Sequence, residues 1–184
     1  MKSYLKFSCP VFKSKAKDHE YNKKRILEYV YSSEDPSVID SDVNIKSCDW
    51  GKSNSTREYL TYSYDAITPH LSSICSKLGF SRWQVKEHWY QLYGENGYHG
   101  WHVHGNCMYT GVYYVSLTSK HPTIEFLWLG KIHSLDIEEG DIICFPSFLY
   151  HRAPLNAFKQ DKIITSFNID FSEGLGIQNI SGGQ

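Results

Sequence analysis

Three histidines carry the chemistry that this sequence can perform. His102 and His104 are two residues apart in Trp101-His102-Val103-His104. In an extended strand, side chains alternate between faces, so both imidazoles emerge on one side. The third, His151, follows the apolar run Ile142-Ile143-Cys144-Phe145-Pro146. Two imidazoles from one strand and one from a distant strand make a three-ligand metal site with open coordination positions. Imidazole suits iron, zinc, copper and nickel alike, so the residue types do not name the ion. Any one of these histidines alone is more often an ordinary strand residue; their joint occurrence within one pattern carries the reading.

The surrounding sequence supplies the elements that would position them. Val112-Tyr113-Tyr114-Val115 is β-branched and aromatic, and Gly94, Gly97, Gly100 and Gly105 punctuate the stretch as turns. Further strands are expected over Val85–Tyr93, Thr123–Leu129, Lys131–Leu135, Asp141–Phe145 and Lys162–Phe171, with a turn at Glu138-Glu139-Gly140-Asp141. Before Phe80 the pattern differs. Tyr4–Phe12 reads as an edge strand broken by Pro10. A helix is expected over Asp18–Tyr31, capped by Asp18, with an apolar stripe of Tyr21, Ile26, Leu27 and Val30. Residues 32–56 read as a polar connection holding at most one short strand and contributing nothing to the core. A second helix is expected over Thr56–Leu78, with Pro69 as a point of kink or interruption and Gly79 as its C′ residue. Two helices followed by about eight strands with an inward histidine cluster predict a mainly β fold: a double-stranded β-helix, the cupin-like jelly roll, with N-terminal supporting helices. The expectation is one domain over 1–184, with helical support to about 80, a jelly-roll core over 81–171 and a mobile tail over 172–184.

A formal charge of −1 on 184 residues gives no electrostatic footprint for nucleic acid or an anionic membrane. The five cysteines, Cys9, Cys48, Cys75, Cys107 and Cys144, are widely spaced and include no CxxC pair. Reduced thiols and a cytoplasmic setting are expected. No apolar run has the length of a membrane span, and the N-terminus has no signal-peptide core.

Several segments then occur in an order that resembles a known family. They are His102-Val103-His104, Gly111-Val112-Tyr113-Tyr114-Val115, Glu139-Gly140-Asp141-Ile142-Ile143-Cys144-Phe145-Pro146-Ser147, His151, and Lys162-Ile163-Ile164-Thr165-Ser166-Phe167-Asn168. Over about residues 85–171 the chain resembles the 2-oxoglutarate/Fe(II)-dependent oxygenases of phages and marine bacteria, relatives of the prolyl hydroxylases. The resemblance implies Fe(II) held by His102, His104 and His151, with His104 standing where most relatives carry Asp or Glu. It implies 2-oxoglutarate as co-substrate beside O2, its far carboxylate met by Lys162 where relatives use arginine, with Tyr113 and Tyr93 as pocket tyrosines. Lysine offers a point charge, not the bidentate fork of arginine. The implied reaction is hydroxylation of a peptidyl side chain or small metabolite, in the host cytoplasm if the gene is a phage's. Halogenation is disfavoured, because histidine is too large to leave room for a halide.

Two other readings remain open on the residues alone. One is a cupin-like metalloenzyme that does not use 2-oxoglutarate; the other is a non-enzymatic jelly-roll binding or virion-associated module. Arg152, next to His151, is expected to point away from the site. His99 is assigned to the surface, His88 to partial burial, and Trp83, Trp89, Trp101 and Trp128 to packing. The oligomeric state is open.

Overall fold

The computed structural model describes residues 9–52 and 57–173. Along the chain it forms β1 (Phe12–Lys15), α1 (His19–Ser32), β2 (Val38–Asp40), β3 (Val43–Ile45), β4 (Ser47–Cys48) and α2 (Tyr59–Lys77). Eight strands follow: β5 (Arg82–Tyr93), β6 (Gly97–His102), β7 (Tyr109–Ser116), β8 (Glu125–Trp128), β9 (Lys131–Ser134), β10 (Asp141–Pro146), β11 (Tyr150–Asn156) and β12 (Lys162–Ser172). They assemble into two six-stranded sheets, β1-β10-β7-β12-β5-β4 and β2-β3-β6-β11-β8-β9, with antiparallel pairing between neighbours. The expected mainly β architecture with two preceding helices is therefore present.

The strand period of two divides the core. On β7, Tyr113 and Val115 face the helices, with Tyr90, Ile163 and Phe167 beside them and Ile26, Tyr59, Ile67 and Leu71 of α1 and α2 packed above. Val112 and Tyr114 face the other way, into the space between the sheets, with Tyr93, Phe145, Ile164 and, from the second sheet, Ile45 and Phe126. The helices thus cover one face of the first sheet, and the second sheet covers the other. At Gly111 the helix side is so crowded that an added Cβ would collide with the Phe167 ring and lie 2.9 Å from the Ile143 carbonyl oxygen.

α2 ends in a Schellman motif: Gly79 has φ +80°, Phe80 N–H donates to the Cys75 carbonyl at 2.9 Å and Gly79 N–H to Ser76 at 3.1 Å. The helix runs through Pro69 without a break. Asp18 precedes α1 but does not cap it; its backbone is left-handed and its side chain makes no capping bond. Within α1, Asn22, Ile26 and Val30 are buried, whereas Tyr21 is exposed.

The connection after α1 departs most from expectation. It holds three short strands, and Ile45, Cys48 and Asp49 are buried. Asp49 is accommodated because Tyr59 Oη (2.8 Å), Tyr90 N–H (2.8 Å) and Arg57 (3.2 Å) all donate to its carboxylate. Most of the expected Tyr4–Phe12 strand and nearly all of the expected tail lie outside the described residues; the edge strand that is described begins at Phe12. Among the described residues no helix is long and apolar enough to cross a membrane.

Candidate metal centre

His102 closes β6 and His151 is the second residue of β11, and the two are paired directly across the sheet. Their rings lie 4.3 Å apart between centroids. His104 is in the loop beyond β6, not on the strand, and its backbone N–H is tied to the Ser147 carbonyl at 3.0 Å. Its ring still converges on the others, with centroids 5.2 Å from both His102 and His151. One ring nitrogen of each lies within 4.8 Å of the others, so the three form a group that could hold a metal ion.

The rings are prepared as neutral donors. Burial lowers the pKa of His102, and burial together with the neighbouring His102 lowers His104 to about 4 and His151 to about 2. All three keep a lone pair at neutral pH, which metal binding requires. Two rings are also held in a defined orientation. His102 Nδ1 bonds the Gly100 carbonyl, and His151 Nδ1 the Leu149 carbonyl, each at 2.8 Å. A carbonyl only accepts, so Nδ1 carries the proton in both rings and Nε2 keeps the lone pair.

The histidines line a small cavity of about 50 Å³ together with Lys162, Tyr93, Tyr114, Ser166 and Thr110. Lys162 is 2% exposed, yet among the described residues its ammonium has no carboxylate partner. It donates to the Pro122 carbonyl at 3.2 Å, and burial lowers its pKa to about 8. An uncompensated cation buried beside a cavity is costly, and an anion bound there would relieve the cost. The cavity shares Trp89, Gln91, His99, His102 and His104 with an open groove of about 470 Å³, walled on its far side by Val38, Val43, Ile45 and Trp50 of the β2–β4 region.

Not every expected residue reaches this place. Tyr113 does not. It faces the helices, where its hydroxyl bonds His19 Nδ1 at 2.8 Å. The next residue, Tyr114, lines the cavity instead, its hydroxyl accepting from Ile124 N–H at 3.3 Å. Tyr93 does line the cavity. Arg152 also contributes to the cavity lining, while its guanidinium donates to Glu125 at 2.7 Å and lies 4.7 Å from the Trp101 ring centroid. His99 is not a surface residue: it stacks on His102 at 3.8 Å with planes 12° apart and lines both cavity and groove. His88 is fully buried on the helix side, bonded to Ser63 Oγ at 2.9 Å. Trp101 packs outside the groove, stacked on Tyr150, whereas Trp89 lines it and stacks on His104. Sequence reasoning missed His99, Tyr114, Gln91 and Ser166 as cavity residues. The alternation of β7 about Val112 would have exchanged Tyr113 for Tyr114.

The sequence matches no protein-family model and no curated protein. Its fold does match solved structures. A prolyl-4-hydroxylase from Pseudomonas putida superposes with a TM-score of 0.63 at 13% identity, over 89% of this chain and 92% of that one. The collagen prolyl hydroxylase of Paramecium bursaria Chlorella virus-1 gives 0.61 at 14% identity, over 88% and 96%. An oxidoreductase of the 2OG-Fe(II) oxygenase family from Burkholderia pseudomallei gives 0.65 at 10% identity, over 87% and 84%. The chain therefore has the fold found in 2-oxoglutarate/Fe(II) oxygenases.

Proposed function

We propose that this protein is a 2-oxoglutarate- and Fe(II)-dependent dioxygenase that hydroxylates a peptidyl side chain or a small metabolite, built as one cupin-like jelly-roll domain. The observation that carries the reading is Lys162, a buried cation without a carboxylate partner among the described residues, in the wall of the cavity that the three histidines also line. A bare metal site in a jelly roll has no use for such a cation; a site for a dicarboxylate co-substrate does. The histidine set fits iron: three neutral imidazoles converge, two with their lone pairs fixed, and nothing else in the group competes.

In this reading His102, His104 and His151 hold Fe(II). Lys162 meets the far carboxylate of 2-oxoglutarate, with Tyr93, Tyr114 and Ser166 shaping the space around it. When bound, iron and co-substrate supply the oxidising chemistry, in which 2-oxoglutarate and O2 become succinate and CO2 and one oxygen atom enters a substrate C–H bond. The chain's own residues bind, orient and exclude water. The Lys162 wall fixes the end of the co-substrate away from the metal, and Trp89 and Tyr114 keep the cavity apolar between the two ends. The prime substrate enters by the groove, whose apolar wall of Val38, Val43, Ile45 and Trp50 suits an aliphatic or aromatic group. The five free cysteines fit a reducing cytoplasm.

Calorimetric titration of 2-oxoglutarate tests the proposal. Binding is expected with Mn(II) as a redox-inert stand-in for Fe(II) and is expected to be much weaker without metal. Metal binding with no response to 2-oxoglutarate would favour the cupin-like enzyme, and no metal binding would leave the non-enzymatic module.

A further inference from the structure

Two rings of the histidine group are oriented by backbone carbonyls two residues earlier, Gly100 for His102 and Leu149 for His151. Among the described residues, His104 takes no such carbonyl. Asn168, on β12 and 4% exposed, lines the same groove as His104, together with Glu87 and Trp89. Asn168 Nδ2 donates to Glu87 Oε2 at 2.6 Å, across the β12–β5 pair in which the two residues are direct partners. A carboxylate only accepts, so this bond fixes which end of the amide is NH2. Oδ1 is left buried and with no hydrogen-bond partner of its own. Trp89, stacked on His104 with planes 25° apart, limits where the ring can turn.

We infer that Glu87 and Asn168 form a relay that positions His104 in the metal centre: Glu87 holds the Asn168 amide, and Asn168 Oδ1 accepts the ring N–H that His104 does not present to the metal. The inference rests on the metal-centre reading above. It gives the third histidine what the other two obtain from the backbone, an acceptor that fixes the tautomer and makes the ligating nitrogen more basic. It also places a carboxylate one amide away from that ligand. His104 is in a loop, so a side-chain acceptor is needed where strand geometry supplies none.

Asn168→Leu, Glu87→Gln and the double variant Asn168→Asp/Glu87→Gln test the relay with readouts independent of turnover. Zn(II) affinity by competition with a chromophoric chelator is expected to fall about 10–100-fold in Asn168→Leu, the loss typical when such a supporting partner is removed. The double variant keeps an oxygen acceptor at 168 and, because the amide and the carboxylate have changed places, a hydrogen bond between the two side chains; it is expected to restore most of that loss. In the metal-free protein, ¹⁵N-resolved NMR of the His104 ring is expected to show one tautomer in wild type and a mixture in Asn168→Leu and Glu87→Gln. Unchanged affinity and tautomer in Asn168→Leu, or a double variant as weak as Asn168→Leu, would overturn the relay. If Asn168→Leu does not fold, an unchanged tautomer in Glu87→Gln together with no affinity retained by the double variant overturns it equally. A wild type that binds no Zn(II) but shows the tautomer effect would sink the metal-centre reading and leave the hydrogen-bond relay standing.

Discussion

Lys162 and Tyr93 face each other directly across β12 and β5, and the Lys162 ammonium lies 4.6 Å from the centroid of the Tyr93 ring. The ring's negative face, with the Pro122 carbonyl at 3.2 Å, compensates this cation. The compensation is partial, because burial still lowers the Lys162 pKa to about 8 from 10.5. At neutral pH the lysine is protonated in both the folded and the unfolded chain, so the cost of burying it is fully present there and fades only as pH rises above about 8.

Replacing Lys162 by Met therefore separates function from stability. The variant is expected to keep or raise the melting temperature of the metal-free protein, by up to about 1–3 kcal/mol of stability. It is also expected to lose detectable 2-oxoglutarate binding. Calorimetric melting and titration measure the two. A variant that melts much lower and still binds the co-substrate would reverse the assignment.

The two adjacent tyrosines of β7 give opposite expectations. Tyr113→Phe removes the hydroxyl bonded to His19 and should cost about 0.5–1.5 kcal/mol of stability while leaving 2-oxoglutarate affinity unchanged. Tyr114→Phe alters the cavity wall and should weaken that affinity by several-fold. Denaturant unfolding and equilibrium binding on both variants decide the matter; a loss of affinity in Tyr113→Phe would return that residue to the site.

Gly111→Ala should destabilise the protein by about 1–3 kcal/mol or more, because the new methyl must displace the Phe167 ring or the backbone at Ile143. Urea unfolding measures this. A neutral result would mean that the packing between β7 and β12 is looser than described.

His88 and His70 set an acid limit to stability. Burial first, and then Arg57, lower His88 to about 3; burial and then Lys77 lower His70 to about 4. Below pH 6.5 the unfolded chain takes up protons that the folded chain refuses. Their contribution is intact above 6.5 and is lost downward through that window, by about 1.4 kcal/mol per pH unit for each ring. His88→Gln can keep a hydrogen bond to Ser63 and should show a shallower fall in melting temperature between pH 7 and pH 5. An equal fall in both proteins would contradict the account.

What the sequence reveals depends on whether local pattern or tertiary packing decides the outcome. The two helices and the strands from Val85 onward follow from apolar period and turn residues, and the histidine group follows from the order of its segments. Tyr113 was misassigned because a strand changes face at every residue, so a shift of one moves a side chain from cavity to helix layer. His99 was hidden for a different reason. It lies three positions before His102, which puts the two on opposite faces of a regular strand. Here His102 pairs with His151 and His99 with Ala153, three residues against two, and this bulge brings both rings to one side. Gly100 lies within the bulge, where a Cβ would meet the Asp42 carbonyl oxygen at 2.9 Å. Asp49 and the strands around it could not be read locally, because the groups that satisfy the carboxylate, Arg57, Tyr59 and Tyr90, come from elsewhere in the chain.

The most direct test of the central claim is anaerobic addition of Fe(II) and then 2-oxoglutarate, watching for the weak visible absorption band of a metal-chelated 2-oxo acid. The account predicts the band in wild type, its loss in His102→Ala and its weakening or loss in Lys162→Met. A wild type that binds Fe(II) without developing the band, or a band that survives in His102→Ala, would contradict it.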